Sequence, residues 1–339
     1  MLSIENEAFR GCKTLYGIEL PARVTRIGAY AFADCYELNH ARIKASEIGE
    51  SAFWDCEALE VLELGDGVRY IGNSAFESCR TLKEIKIPEG VVRIDSKAFY
   101  DCTSVTYLEI NASLDEIDTE AFLGCEKITS VNLCDINASG YISVLNGLSG
   151  MTHLTIKNGV IPGNAFQGLT NLVFAELGVT EIGGYAFWEC PLETLVLYDT
   201  VKRIGECAFY GTNISELHLS GNIEAIDSGA FESNASLENV YINGDIAETG
   251  INVFRGCTEL THIELGKNLA EIGEGMFEGC TKLEKIMIVD SVKSIGSYAF
   301  KDCVSLKYIY YEGTYDEWES IEKGEFWNEN LTDYNIYTK

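Results

Sequence analysis

The sequence predicts a repeat solenoid of about fourteen coils, each 21–23 residues long, with a parallel β-sheet on one face and irregular or 3₁₀-like turns on the other. Three observations predict it. The nonapeptide "IGAYAFADC" (27–35) returns almost unchanged as "IGESAFWDC" (48–56), "IGNSAFESC" (71–79), "IDSKAFYDC" (94–102) and "IGSYAFKDC" (295–303). The phenylalanines of that unit, Phe9, Phe32, Phe53, Phe76, Phe99, Phe122, Phe166, Phe187, Phe209, Phe231, Phe254, Phe277 and Phe300, lie 21–23 residues apart with a single gap of 44. Between them run segments such as "LKEIKI" (82–87) that end in apolar–polar alternation, the period-2 signature of a strand. Self-similarity at this period marks an array whose units bury their apolar faces only against one another.

One full unit, Phe76 to Ala98, shows what each position is for. Phe76, Cys79, Leu82, Ile85, Ile87, Val91, Ile94 and Ala98 are the apolar slots. The strand closes where Pro or Gly follows it, as at Pro21, Gly65, Pro88 and Gly266. "VVRIDSKAF" (91–99) spaces its inward residues three apart, which suits a tight 3₁₀-like or extended turn better than a long helix. Gly28, Gly49, Gly72, Gly205, Gly273 and Gly296 share one turn slot, where they serve backbone geometry. The gap of 44 hides a degenerate copy: "LNGLSGMTHLTI" (145–156) aligns with "FLGCEKITSVNL" (122–133) and puts Leu145 in the Phe slot. Stacked copies set each strand beside its counterpart, and the array spans roughly 65 Å at ~4.8 Å per strand.

The unit, with "I-G-x-x-A-F-x-x-C-x-x-L" at its heart, resembles the BspA-like, or Treponema-type, leucine-rich repeat over residues 2–312. The resemblance implies a right-handed, curved leucine-rich-repeat superhelix with its sheet on the concave face. It also implies a bacterial or protozoan surface or secreted protein, with an adhesin-like role toward host proteins or neighbouring cells. Residues 1–312 form the expected solenoid, its first coil incomplete, and 313–339 a capping segment. The tail "YYEGTYDEWESIEKGEFWNENLTDYNIY" (310–337) looks like the C-terminal closure of this family, with Asp316 expected to cap a short helix carrying Trp318 and Ile321. The opening "MLSIENEAFRGC" begins inside a unit and has neither a basic n-region nor an apolar h-region, so any export signal is expected upstream of Met1.

Charge narrows the partners. Lys and Arg number 25 against 53 Asp and Glu, a net charge of −28. That argues against nucleic acid and anionic membrane surfaces, both polyanions, and favours a self-repelling monomer. No apolar run approaches the ~18 residues that span a bilayer.

Ten of the twelve cysteines occupy one repeat slot: Cys12, Cys35, Cys56, Cys79, Cys102, Cys125, Cys190, Cys257, Cys280 and Cys303. Leu148, Leu169, Thr212 and Asn234 replace them elsewhere, which reads as a small, mostly apolar pocket. Stacked side chains that all point inward do not bring Cβ atoms together to ~3.8 Å as a disulfide requires, so the reading is a buried ladder of free thiols. The chain has no C-x-x-C pair to favour zinc. Cys134 and Cys207 lie off the ladder.

No catalytic constellation emerges. The sequence lacks G-x-S-x-G, H-E-x-x-H and a Walker-type loop. Cys134 and His153 sit four repeat positions apart, ~13 Å along a strand and beyond hydrogen-bond reach. The expectation is no enzyme, no cofactor and no metal. Sequons at Asn111, Asn137, Asn213, Asn234 and Asn330 have meaning only in a eukaryotic secretory route.

The outward strand positions, eight, ten and twelve places after each Phe, carry what signal there is. Early in the chain the tenth place reads Glu19, Arg42, Glu63, Lys86, Glu109, an alternation expected to pair across the sheet and blunt that region as a binding surface. Later the outward positions carry Phe174, Val196, Tyr198, His218, Tyr241, His262, Met287, Tyr308 and Tyr310. All four histidines, His40, His153, His218 and His262, fall on this face. Clustered rigid rings are what protein interfaces use, so these nine residues are the candidate site for a protein partner such as a host matrix or cell-surface protein. Glu216, Asn239, Asn243 and Glu264 beside them make a glycan the alternative ligand on the same face.

Overall fold

The structure is a computed structural model that describes residues 2–137, 140–244, 246 and 248–339. It comprises two compact units, Met1–Lys157 and Asn158–Lys339. Each is a stack of β-solenoid coils in which strands of neighbouring coils pair in parallel.

In the first unit the four-residue strands Gly17–Leu20, His40–Ile43 and Val61–Leu64 form one parallel sheet, and Glu84–Ile87, Tyr107–Ile110, Ser130–Leu133 and His153–Ile156 run in a second. Register is in phase, so each slot meets its own copy: Ile85 pairs with Leu108, Leu108 with Val131, and Val131 with Leu154. Alternation works as the sequence requires. In Glu84–Ile87 the isoleucines are buried and Glu84 and Lys86 exposed.

A second ladder, which the sequence did not announce, runs along the segment read as an extended turn. Val24–Ile27, Glu47–Ile48, Tyr70–Ile71, Arg93–Ile94 and Glu116–Ile117 pair in parallel, each pointing its isoleucine into the core. Strands of two residues are too short for an alternation to show.

The turn opposite the four-residue strands is also regular from coil to coil. Left-handed residues flank the phenylalanines two places on either side in all coils but that of Phe122, as Ser51 and Asp55 do around Phe53 at φ 50° and 58°. Such angles are uncommon for side-chain-bearing residues, and here the neighbouring coil enforces them. They aim the N–H groups of Ser51, Phe53 and Asp55 at the carbonyls of Asn73, Ala75 and Glu77, at 2.8, 2.8 and 2.9 Å. The coils approach so closely that a Cβ on Gly49 would lie 2.6 Å from the Ile27 carbonyl oxygen. That contact is the geometric demand behind the glycine slot.

Inside the turns the phenylalanine rings stack. From Phe9 to Phe122 adjacent centroids are 5.1–5.2 Å apart with ring planes within 9°. The degenerate copy replaces its ring with a helix, Tyr141–Gly147, which buries Tyr141, Val144 and Leu145. Leu145 thus takes the place its alignment assigned. The helix starts at Gly140 with φ 97°, where a Cβ would meet the Ile117 carbonyl oxygen at 2.0 Å.

The second unit repeats the scheme. Its corresponding strands, three or four residues long, are Phe174–Leu177 and Thr194–Leu197, then the sheet Glu216–Leu219, Asn239–Ile242 and His262–Glu264, then the sheet Lys285–Ile288, Tyr308–Tyr311 and Asn335–Tyr337. The column from Phe166 to Phe300 keeps centroid spacings of 5.1–5.9 Å and ends on Trp327, set edge-on to Phe300 at 6.2 Å.

The tail corrects one expectation. Its helix, Tyr315–Ser320, is capped by Thr314 and not by Asp316. Glu317 N–H donates to the Thr314 hydroxyl while the Glu317 carboxylate accepts from Thr314 N–H at 2.8 Å, a capping box. Asp316 lies in the first turn, where its charge faces the positive end of the helix. Trp318 and Ile321 are buried as read. Beyond the helix, Glu322–Lys323 pairs with Ser294–Ile295, and Asn335–Tyr337 with the strand Tyr308–Tyr311, so the tail adds rungs to both ladders.

Two stability measurements follow. Phe187 is fully buried in its column, and Phe187→Ala should cost ~3–5 kcal/mol in denaturant unfolding. Exposed Glu189 on the adjoining turn should lose under ~0.5 kcal/mol on replacement by Ala. At the helix start, Thr314→Ala should cost ~1 kcal/mol and speed amide exchange in 315–320, while Asp316→Ala should change either far less.

Candidate functional site

The outward face of the second unit organises its side chains in two rows, because in-phase register places each residue beside its slot-mates. One row reads Glu216, Asn239, His262, then Lys285, Tyr308, Asn335; the other reads His218, Tyr241, Glu264, then Met287, Tyr310, Tyr337. Within the first sheet the His218 and Tyr241 rings stack at 4.6 Å, and Tyr241 meets His262 at 5.4 Å. Each imidazole also holds a carboxylate on its own strand, His218 Nε2 with Glu216 at 2.5 Å and His262 Nε2 with Glu264 at 3.2 Å. In the second sheet Tyr308, Tyr310 and Tyr337 form a triangle with centroids 5.2–6.4 Å apart, beside exposed Met287.

The nine candidate residues therefore form separate groups. His218, Tyr241 and His262 touch; Met287, Tyr308 and Tyr310 neighbour one another; Phe174, Val196 and Tyr198 lie earlier. Phe174 and Val196 are half-buried, and the Tyr198 hydroxyl bonds to the Glu176 carboxylate. Tyr337 was missed. It lies in the segment expected to cap the array, where the alternation of "NIY" is the signal that marks an outward slot.

The two groups are divided by a break. Paired strands end at His262–Glu264 and begin again at Lys285–Ile288. A groove of about 830 Å³ opens there, lined by side chains that include His262, Lys267, Lys285, Met287, Asp290, Tyr310 and Glu312.

The first unit's charge ladder is shorter than expected. Arg42 reaches Glu19 at 3.4 Å and Glu63 at 2.6 Å, which lowers the Glu63 pKa and raises that of Arg42. Lys86 pairs instead with Glu84 on its own strand at 2.8 Å. The reason is topological: the first sheet ends at Val61–Leu64, so Lys86 is no longer held in register beside Glu63.

The cysteine slot does more than fill space. Cys56 Sγ donates to the Phe32 carbonyl at 3.2 Å and Cys79 Sγ to the Phe53 carbonyl at 3.4 Å, and the pattern recurs to Cys303 and Phe277 at 3.0 Å. Asn234 does the same with its amide, donating to the Phe209 and Phe231 carbonyls at 2.8 and 2.9 Å while its oxygen accepts from Thr212. A slot that admits Cys, Thr and Asn is thus a donor slot as well as a pocket. Because Asn234 is fully buried, its sequon is closed in the folded chain.

All twelve cysteines are free thiols, nine of them buried. Burial pushes Cys190 up to about 11 and Cys257 and Cys303 up to about 12, with Cys56 and Cys79 higher still. Since the thiolate is the nucleophile, these groups are chemically quiet in the native state. Cys134 lies by Ser113 and Asp135, and strand register sets His153 beside Ser130, four residues before Cys134. Among the described residues no group of His, Cys, Asp and Glu is arranged to hold a metal ion, and no helix is long and apolar enough to cross a membrane.

The sequence profile of the BspA type leucine rich repeat region matches residues 1–60, 46–173, 180–307 and 234–339, and the chain belongs to that family. Among solved structures it is similar to a leucine-rich repeat protein from Bacteroides ovatus, at 25% identity and a TM-score of 0.39 over 100% of this chain and 78% of that one. It is also similar to a leucine rich cell surface protein from Faecalibacterium prausnitzii (22% identity, TM-score 0.33, covering 94% and 85%). A third is an internalin from Listeria monocytogenes (12% identity, TM-score 0.38, covering 75% and 82%). No curated protein matches the chain.

Native-state thiol labelling checks the slot. Half-buried Cys12, Cys134 and Cys207 should react first, and the nine buried thiols only as the chain unfolds. Rapid native labelling of Cys79 or Cys280 would contradict the assignment.

Proposed function

We propose that the chain is a non-catalytic recognition protein, an adhesin-like module at the cell surface or outside the cell, that binds a protein partner through the outward strand rows of its second unit. The observation that carries this reading is the exposed aromatic surface on those rows. Met287, Tyr308 and Tyr337 are 46%, 40% and 46% exposed, although the core has no need of them. Rigid rings on a hydrogen-bonded sheet give large contact area with few rotamers to freeze, which is why Tyr concentrates at the centres of interfaces. In the first unit, by contrast, Glu19, Arg42 and Glu63 satisfy one another. Membership of a family typified by surface proteins supports the location, and the net charge of −28 disfavours a polyanionic partner.

Pull-down from extracellular matrix and cell-surface protein fractions, followed by affinity measurement on the captured partner, tests the proposal. Tyr241→Ala and Tyr308→Ala should each weaken binding by ~1–2 kcal/mol with little change in melting temperature. Glu63→Lys should leave binding intact. Loss at Glu63 with retention at both tyrosines would move the interface to the first unit.

A further inference from the structure

The groove at the break between His262–Glu264 and Lys285–Ile288 has a chemistry different from the rows beside it. Five charged side chains line it: Glu264, which bonds to His262 Nε2 at 3.2 Å, and Lys267, Lys285, Asp290 and Glu312, none of which has an ion-pair partner among the described residues. On the other outward strands of this unit the glutamates are held: Glu216 by His218 and Glu176 by the Tyr198 hydroxyl. Two cations and two anions left open in one groove balance in sign and present donors and acceptors together. A ligand of single charge would be repelled by half of them. A ligand of many hydroxyls, each both donor and acceptor, would satisfy all of them.

The groove edge completes the set. Tyr310 lines it, and Tyr337 stacks on Tyr310 with centroids 5.2 Å apart and planes 22° from parallel, giving a flat aromatic shelf. Such a shelf suits the C–H face of a pyranose ring, and the volume of about 830 Å³ is that of a site for a small ligand. We infer that this groove binds a neutral oligosaccharide of a few sugar units, its ring stacked on Tyr310 and its hydroxyls bonded to Lys267, Lys285, Asp290 and Glu312. The carboxylate and amide strip Glu216, Asn239, Asn243 and Glu264, which the sequence offered as a glycan site, is the poorer candidate because both of its glutamates are already held by imidazoles. The inference does not rest on the protein partner proposed above, which is assayed separately.

The full chain should be screened on an array of neutral and acidic oligosaccharides, and hits titrated calorimetrically. Binding to neutral sugars should fall at least tenfold in Tyr310→Ala. The shape-conserving variants Lys285→Gln and Asp290→Asn should lose several-fold each while melting as the parent does, and Glu63→Lys should bind normally. Absence of any neutral-sugar binding overturns the inference, as does binding that survives all three groove variants. Preference for acidic sugars overturns its neutrality argument. A captured protein partner that binds Lys285→Gln and Asp290→Asn normally, while neutral sugars bind them several-fold more weakly, would separate the two functions in favour of both.

Discussion

A single spacing governs both stacks. Paired parallel strands sit ~4.8 Å apart, and offset aromatic rings are comfortable at a similar distance. The phenylalanine columns adopt 5.1–5.2 Å through the first unit, so the ladder and the ring column demand the same translation from coil to coil. The left-handed residues flanking most of the rings close the turn and send its N–H groups to the next coil. The Cys slot then supplies a donor to the ring residue's carbonyl. Each buried group in the unit is answered by its neighbour one coil away, which is why a single copy has no stable fold of its own.

The same translation creates a charge problem. A slot repeated at about 5 Å stacks like upon like, and this chain has twice as many acids as bases. Several of its arginines are placed between acids of neighbouring coils. Arg80 bridges Glu57 and Asp101, and Arg255 bridges Glu232 and Glu278. Exposed pairs of this kind contribute little individually, at ~0–1 kcal/mol. Their role is to relieve repulsion that repetition would otherwise multiply. The groove beside Lys285 stands out because this accounting is left open there.

Much of this was legible in the residues. Phe53, Ile85 and Cys79 could be assigned inward from spacing alone, since a period read over many copies averages out local ambiguity. Leu145 was placed correctly although its coil folds as a helix, because the slot is set by neighbours. What escaped reading falls into kinds. The second ladder is built from pairs such as Arg93–Ile94, too short to show alternation. The breaks after Leu64 and Glu264 depend on how far a strand continues to pair, and outward or inward character does not encode that. Thr314-x-x-Glu317 is a capping-box pattern visible in the sequence, and Asp316, the expected cap, lies two residues inside the helix start. Tyr337 was hidden by treating the tail as a cover and not as further rungs. The thiol as a donor was invisible, since Leu148 and Leu169 in the same slot argue only for an apolar pocket.

The buried thiol column sets a condition on how the chain comes to be folded. Each Sγ is shielded only once the coils on either side have stacked. An unfolded chain therefore carries twelve accessible thiols spaced mostly 21–23 residues apart, with many mismatched pairings open to it. Disulfide formation takes seconds to hours, whereas contacts between adjacent coils close short loops and form early. In an oxidising medium the outcome is a race, and the repeat length enters it directly: the shorter the loop between coils, the sooner each sulfur leaves solvent. An array written in units of this size can retain a reduced core outside a reducing compartment, provided stacking outruns oxidation.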